Sequence, residues 1–221
     1  MINLTFYGHA CFGVDTGSAR LLIDPFLTGN PLAPVAAADV DADYILVTHG
    51  HHDHAGDAAA IAGRTGARIV TTVEVGQALF SGCDTVAGNI GGTLCLPFGG
   101  VKLVTAIHGS GVPGGLACGF VIEADGKTVY HMGDTALTRD FELLANDDHP
   151  IDALLIPIGG HYTMGPDDAL RAVEMIRPRL VIPMHFGTFA EIDEDPAAFC
   201  AAVEKTGAAA RVLRPGETIA V

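Results

Sequence analysis

The sequence predicts a mixed α/β protein: one domain over residues 1–221, with two mixed sheets packed face to face and helices outside. Three observations predict it. Strand-like and helix-like runs alternate in both halves of the chain, with β-meanders within each. No low-complexity linker and no internal repeat divides the chain. The 221 residues, 49% apolar and only 17% charged, suffice to bury a full core.

Residues 4–7, 10–15 and 20–23 read as opening strands, with Asp15-Thr16-Gly17-Ser18 as a tight hairpin turn. Asp24-Pro25-Phe26 ends the third strand. Residues 27–42 carry glycine and prolines early and alanines later, and read as a loop over the mouth of a site. A strand at 44–48, a histidine-rich loop and a helix at 55–65 follow, the helix closed by Gly66. Residues 68–71 form a strand and 73–79 a helix. Strands then follow at 85–86, 93–96, 101–106, 118–124 and 127–131, with Asp125-Gly126 as a hairpin turn. Helices at 137–145, 167–176 and 196–205 alternate with strands at 153–156, 180–183 and 211–213. Pro166 fits the first turn of the middle helix.

Charge and cysteine usage narrow the function. The formal net charge is −14, from 12 basic and 26 acidic residues. That balance argues against sequence-independent binding of nucleic acid, which needs a basic footprint, and against docking on anionic lipid. It does not exclude a small anionic substrate, because bound divalent cations would invert the local sign. Cys11, Cys83, Cys95, Cys118 and Cys200 are odd in number, widely spaced and without C-x-x-C. They read as buried, reduced thiols. Met1-Ile2-Asn3-Leu4-Thr5-Phe6-Tyr7 shows no basic n-region or small-residue cleavage site, and no apolar run reaches bilayer length. A cytoplasmic protein is expected.

The chemistry is carried by Thr48-His49-Gly50-His51-His52-Asp53-His54, directly after the apolar run Tyr44-Ile45-Leu46-Val47. In an extended loop residues i and i+2 point the same way, so His49 and His51 can meet one cation, and Gly50 lets the backbone bend. Asp53 and His54 come where the chain turns into a helix, which aims them at a second centre. By alternation His52 faces away. An open catalytic site keeps about three protein ligands per metal, so two ions need more than this loop. His108, Asp134 and His185 each stand where an apolar strand ends beside glycine, and they complete a set of seven.

The order His-x-His-x-Asp-His, a lone His, Gly-Asp-Thr and a further lone His resembles the metallo-β-lactamase-fold hydrolases. More narrowly, the chain is similar to the small metal-dependent hydrolases related to ascorbate-6-phosphate lactonases. Tyr7-Gly8-His9-Ala10-Cys11-Phe12, Asp24-Pro25-Phe26, Thr163-Met164-Gly165-Pro166 and Pro183-Met184-His185-Phe186-Gly187-Thr188 carry that likeness, which runs essentially end to end. The resemblance implies a four-layer αβ/βα sandwich with the site at the edge where the sheets meet. It implies two divalent ions: one on His49, His51 and His108, the other on Asp53, His54 and His185, with Asp134 bridging. Zinc is the first expectation for such nitrogen and oxygen ligands; manganese, iron and nickel also suit them.

The expected function is hydrolysis of an ester or lactone bond in a small molecule, phosphorylated or not. Water held between two such ions loses a proton far below its bulk pKa and is the expected nucleophile. Asp53 and Asp134 are the expected catalytic carboxylates. His9, after Gly8, is read as a substrate contact or proton donor against a purely structural histidine. Asp24 either orients a ligand imidazole or simply forms a turn before Pro25. His161 is expected to touch substrate; Thr163 either does the same or caps the next helix. His131 packs near the site without binding metal, and His149 is exposed. A phosphodiesterase or nuclease of the same fold, a non-catalytic relative and a di-iron electron-transfer relative are the rivals. The partner expected is a small-molecule substrate, with no nucleic acid and no membrane; a homo-oligomer is allowed by the apolar content but not demanded.

Overall fold

Residues 21–23 show why the chain builds in four layers. Leu21 and Ile23 enter one buried cluster and Leu22 another, because successive strand side chains point to opposite faces. Ala153 and Leu155 likewise face one cluster, and Leu154 and Ile156 a third. Strands apolar on both faces must be covered on both faces.

The computed structural model describes residues 1–145 and 150–221. The strands in chain order are β1 (Asn3–Gly8), β2 (Cys11–Asp15), β3 (Arg20–Ile23), β4 (Tyr44–Leu46), β5 (Arg68–Thr72), β6 (Thr85–Gly88), β7 (Thr93–Leu96), β8 (Gly99–Thr105), β9 (Cys118–Ala124), β10 (Lys127–His131), β11 (Ala153–Pro157), β12 (Leu180–Met184), β13 (Ala209–Ala210) and β14 (Thr218–Ala220). Among the described residues they form two seven-stranded sheets, ordered β14-β1-β2-β3-β4-β5-β6 and β13-β12-β11-β10-β9-β8-β7. Each sheet is antiparallel on one side and parallel on the other. The helices are α1 (His52–Ala55), α2 (Ala58–Thr65), α3 (Val73–Leu79), α4 (Pro166–Ile176) and α5 (Pro196–Glu204). Ile61 of α2 and Val75 of α3 pack on the outer face of the first sheet; Val173 of α4 and Phe199 of α5 pack on that of the second. The fold is the mixed α/β sandwich that the resemblance implies.

The inner layer joins Phe6, Phe12 and Leu46 of the first sheet to Leu103, Phe120, Leu155 and Met184 of the second. Phe120 is 0% exposed and sits in β9, paired on both sides by β8 and β10. Truncating such a ring removes its transfer free energy and leaves a cavity. Phe120→Ala is expected to lower unfolding stability by about 3–5 kcal/mol, read as a shift in urea midpoint at constant slope.

Four expectations need correction. The helix predicted at 55–65 begins at His52 as α1, breaks at Gly56 and Asp57, and resumes as α2. Asp57 holds the break: its carboxylate accepts from the Leu27 and Thr28 amides at 2.7 and 2.8 Å. The helix predicted at 137–145 is a 3-10 segment over Arg139–Leu144, started by Thr138 accepting from the Asp140 amide. The strand predicted at 211–213 is not one; the ladder beside β12 lies earlier, at β13. Cys95 is exposed because Leu94 and Leu96 take the inward positions of β7, and Cys83, in the turn after α3, is half-buried; all five thiols are free. The expected exposure of His149 lies outside the described residues. No helix among the described residues is long and apolar enough to cross a membrane.

Candidate metal centre

Strand ends of both sheets meet at one edge, and backbone hydrogen bonds join them there. The His185 amide donates to His9 O at 2.8 Å, and the Cys118 amide to Thr48 O at 3.1 Å. His9, Asp24 and His185 each leave a strand with left-handed backbone, at φ 57°, 45° and 58°. Non-glycine residues tolerate this at some cost, and such outliers cluster at functional sites. The histidine loop is pressed against residues 109–111: the Gly50 amide donates to Ser110 O at 2.7 Å. A Cβ on Gly111, itself at φ +72°, would lie 2.6 Å from the Gly50 carbonyl carbon. Glycine at 111 is what lets His108 approach the early histidines.

His51 caps α1, and Asp53 and His54 occupy its first turn. An anionic residue is favoured at a helix start. Helical rather than extended backbone after His51 also corrects the reading of His52. Alternation no longer applies, and His52, though exposed, borders the cavity over the site.

The seven expected ligand side chains converge. His49 Nε2 lies 3.0 Å from His51 Nδ1, and His108 Nε2 3.3 Å from that same atom. Asp134 reaches both sides of the cluster. Its Oδ2 is 3.1 Å from His185 Nε2 and 3.5 Å from His108 Nε2, and its Oδ1 is 3.3 Å from His54 Nε2. Asp53 Oδ2 stands 3.8 Å from His54 Nε2 and 4.0 Å from His185 Nε2. Three groups of ligand atoms lie within 4.8 Å of one another: His9, Asp53, His54 and His185; His49, His51 and His108; His49, His54 and Asp134.

Tautomers decide whether these atoms suit a cation. His54 Nδ1–H donates to Asp24 Oδ2 at 2.8 Å, which leaves the neutral ring a lone pair on Nε2. Thr48 Oγ1 gives its proton to Asp24 Oδ2 at 2.7 Å, so at 2.9 Å His49 Nδ1–H must be the donor to Thr48, and His49 Nε2 too is bare. Buried His54 Nε2, Asp134 Oδ1 and His185 Nε2 have no hydrogen-bond partner. Lone pairs facing lone pairs at this range are costly unless a cation lies among them. Tetrahedral zinc with its usual bond lengths separates ligand atoms by about 3.3 Å, close to what is seen. The residues fit divalent metal. His131 does not compete: its Nε2–H donates to Ala10 O, and its Nδ1 accepts from the Gly133 amide.

Burial and the carboxylates of the cluster set its electrostatics, in opposite directions for different rings. Burial, then the neighbouring imidazole of His54, pushes His49 well below the ordinary histidine value, and burial also lowers His108. Both are neutral ligands near pH 7. Burial alone would lower His54 too, but the carboxylates of Asp134 and Asp24 outweigh it and hold it well above the usual value, so a bound ion would take the place of the proton on its Nε2. Against burial, His54 and His185 keep Asp134 well below the usual carboxylate range. Burial brings His9 down to about 4, its hydrogen bond to Asp53 opposing. His9 Nε2 lies 3.1 Å from Asp53 Oδ2, and its Nδ1 3.0 Å from Thr188 Oγ1. In the neutral ring, donation from Nε2 to Asp53 leaves Nδ1 to accept from Thr188.

A cavity of about 570 Å³ opens over the cluster, bordered by His51, Asp53, His108 and Asp134 and by Phe26, Tyr162, Phe189 and Glu191. His161 and Thr163 are not among its lining residues. The Gly160 amide donates to Met164 O at 3.0 Å, closing a short loop with Tyr162 at its tip. His161 is exposed against Tyr162, and Thr163 Oγ1 donates to Met164 O at 3.3 Å. Nor does Thr163 cap α4, whose N-cap is Gly165. Sequence reasoning missed Phe26, Tyr162, Phe189, Glu191 and Thr188; only Phe26 and Thr188 stood in motifs that could have pointed to them. A second cavity, of about 620 Å³, is lined by Phe98, Lys102, Lys127 and Leu143 among others and, among the described residues, by no histidine or cysteine.

Comparison with known proteins gives the family. Residues 3–185 match the family described as beta-lactamase superfamily domain. The chain is 50% identical over 221 residues to a UPF0173 metal-dependent hydrolase of Symbiobacterium thermophilum, covering 98% of this chain and 99% of that one. It is 42% identical over 224 residues to a UPF0173 metal-dependent hydrolase of Thermus thermophilus, covering 99% of each. Among solved structures it superposes on Igni18, a metallo hydrolase of the hyperthermophilic archaeon Ignicoccus hospitalis, with a TM-score of 0.92 and 38% identity over 99% of this chain and 97% of that one.

Proposed function

Since this chain belongs to the beta-lactamase superfamily and, within it, to the UPF0173 metal-dependent hydrolases, we propose that it uses two divalent ions to cleave an ester or lactone bond in a small molecule. Metal-dependent hydrolysis comes with the family; the count of ions, zinc as their identity and the acyl substrate are our reading. The observation that carries it is Asp134, a buried carboxylate within 3.5 Å of His54, His108 and His185 at once. His49, His51 and His108 would hold one ion, Asp53, His54 and His185 the other, and Asp134 both.

Bound divalent ions supply a nucleophile from water at neutral pH and polarise the acyl oxygen. The protein does the rest. Asp24 and Thr48 fix the rings of His54 and His49 with their Nε2 atoms inward. His9 steadies Asp53 through Nε2–H, and Asp53 accepts a proton from the attacking water. The bond from water oxygen to acyl carbon forms, the carbon–oxygen bond to the alcohol breaks, and a proton passes to that alcohol. The partner is a small molecule in the cytoplasm; a net charge of −14 gives nucleic acid and anionic lipid no basic footprint.

The test is a parallel screen of lactones, carboxylic esters, thioesters and bis-p-nitrophenyl phosphate on metal-loaded protein. Acyl substrates are expected to be turned over preferentially; preference for the phosphodiester would replace this reading with the phosphodiesterase one. Chelation is expected to lower the melting temperature as well as to stop turnover, because ions that bind only the native state stabilise it. Unchanged melting after removal of metal, verified by elemental analysis, would count against these ligands.

A further inference from the structure

We propose that the cavity over the metal centre selects an uncharged ester or lactone bearing an apolar, ring-sized group, and turns away substrates with an anionic group remote from the reacting bond. The inference rests on the hydrolase reading of the same site.

The cavity has two ends of different chemistry. One is the cluster of candidate ligands. The other is an aromatic wall. The rings of Phe26 and Phe189 lie 6.4 Å apart, and His9 meets both edge-on, at 5.6 and 5.4 Å. Phe26 is 4% exposed, so its part of the wall is fixed by the core, while Phe189 is half-buried. Tyr162, 51% exposed, stands at the mouth. Among the described residues no lysine or arginine lines the cavity, and apart from the candidate ligands Glu191 is its one carboxylate. Phosphate and carboxylate recognition calls for charge-assisted donors, of which Arg and Lys are the strong ones. An anionic group on this wall would lose its water, gain no such donor and face Glu191.

Bound ions draw the reacting acyl oxygen to the ligand end. The remainder of the substrate then lies along Phe26 and Phe189, where apolar area and ring contacts supply the affinity. A cavity of about 570 Å³ takes a phenyl-sized group with several methylenes. The chain as a whole carries −14, which adds to the disfavour of anions at long range.

The experiment uses the full chain loaded with zinc. Butyryl esters of 4-nitrophenol and of 4-hydroxy-3-nitrobenzenesulfonate are compared, the sulfonate chosen because it coordinates divalent ions weakly. The neutral ester is expected to show a kcat/KM at least about tenfold higher. From acetate to hexanoate esters of 4-nitrophenol, kcat/KM is expected to rise about threefold to fourfold per methylene. Glu191→Gln should narrow the neutral-to-anionic gap about threefold. Independently of turnover, calorimetry should show acetophenone binding at least about tenfold tighter than 4-acetylbenzenesulfonate, and Phe189→Ala should weaken acetophenone about tenfold. Phe189→Leu, which keeps apolar bulk, should retain most of that affinity.

Equal or better use of the sulfonated ester, with hydrolysis intact, overturns the inference and leaves the hydrolase reading standing. Absence of all ester turnover, with calorimetric discrimination intact, does the reverse. Equal binding of the two ketones, or no effect of Phe189→Ala, overturns the inference whatever the turnover.

Discussion

Asp134→Ala protein is expected to bind less than its full metal complement and to hydrolyse its best ester about a thousandfold more slowly than the parent chain. Asp134 is 2% exposed, and its two oxygens lie within 3.5 Å of ring nitrogens from three histidines. Five imidazole ligands and Asp53 cannot offset the charge of two divalent ions without it. Metal-borne charge stabilisation is worth several kcal/mol, and each 1.4 kcal/mol is a factor of ten in rate. Asp134→Asn keeps the shape and removes the charge, so it should lose nearly as much. A structural effect is also expected: removing one member of a buried charged pair costs about 3–5 kcal/mol. Elemental analysis of the folded fraction, checked by circular dichroism, separates the two. A folded Asp134→Ala protein with full metal content and near-normal turnover contradicts the bridging role.

Asp24→Asn should weaken metal binding about 10–100-fold while leaving the core intact. Three donors converge on this carboxylate: the Thr48 amide on Oδ1 at 2.8 Å, and Thr48 Oγ1 and His54 Nδ1 on Oδ2 at 2.7 and 2.8 Å. An asparagine has one oxygen and one NH₂. Set one way, its NH₂ faces His54 Nδ1–H and favours the tautomer that protonates Nε2, the atom needed for metal. Set the other way, its NH₂ faces the Thr48 amide. Either orientation leaves two donors opposed in a site that is 0% exposed. Metal competition with a chelator of known affinity measures the loss. Wild-type affinity in Asp24→Asn would mean that His54 is oriented by packing alone.

Much of this centre is legible in the sequence because its chemistry is locally dense. Four histidines and an aspartate within Thr48–His54 cannot be mistaken for a core strand, and His108, Asp134 and His185 each follow an apolar run beside glycine. The layered fold is legible for a related reason: runs such as 153–156 are apolar at every position, and only a sheet covered on both faces tolerates that. What escapes is short or distant. α1 has four residues, about one turn, too few to show a helical period. β14 has three residues and alternates only once. The contact of His9 with Thr188 spans 179 positions, and that of His54 with Asp24 spans 30; no local pattern records either. Sequence placed the loop around residue 161 at the site, but which side chain faces in depends on the turn at Gly160, at φ +77°.

Stepwise reconstitution of metal-free protein, with bound metal measured by elemental analysis at each step and ester turnover measured alongside, decides between a two-ion and a one-ion centre. No turnover is expected without metal, and full turnover as bound metal reaches two equivalents per chain. Full turnover by thoroughly demetallated protein would contradict the two-ion centre, and so would saturation of both binding and activity at a single equivalent.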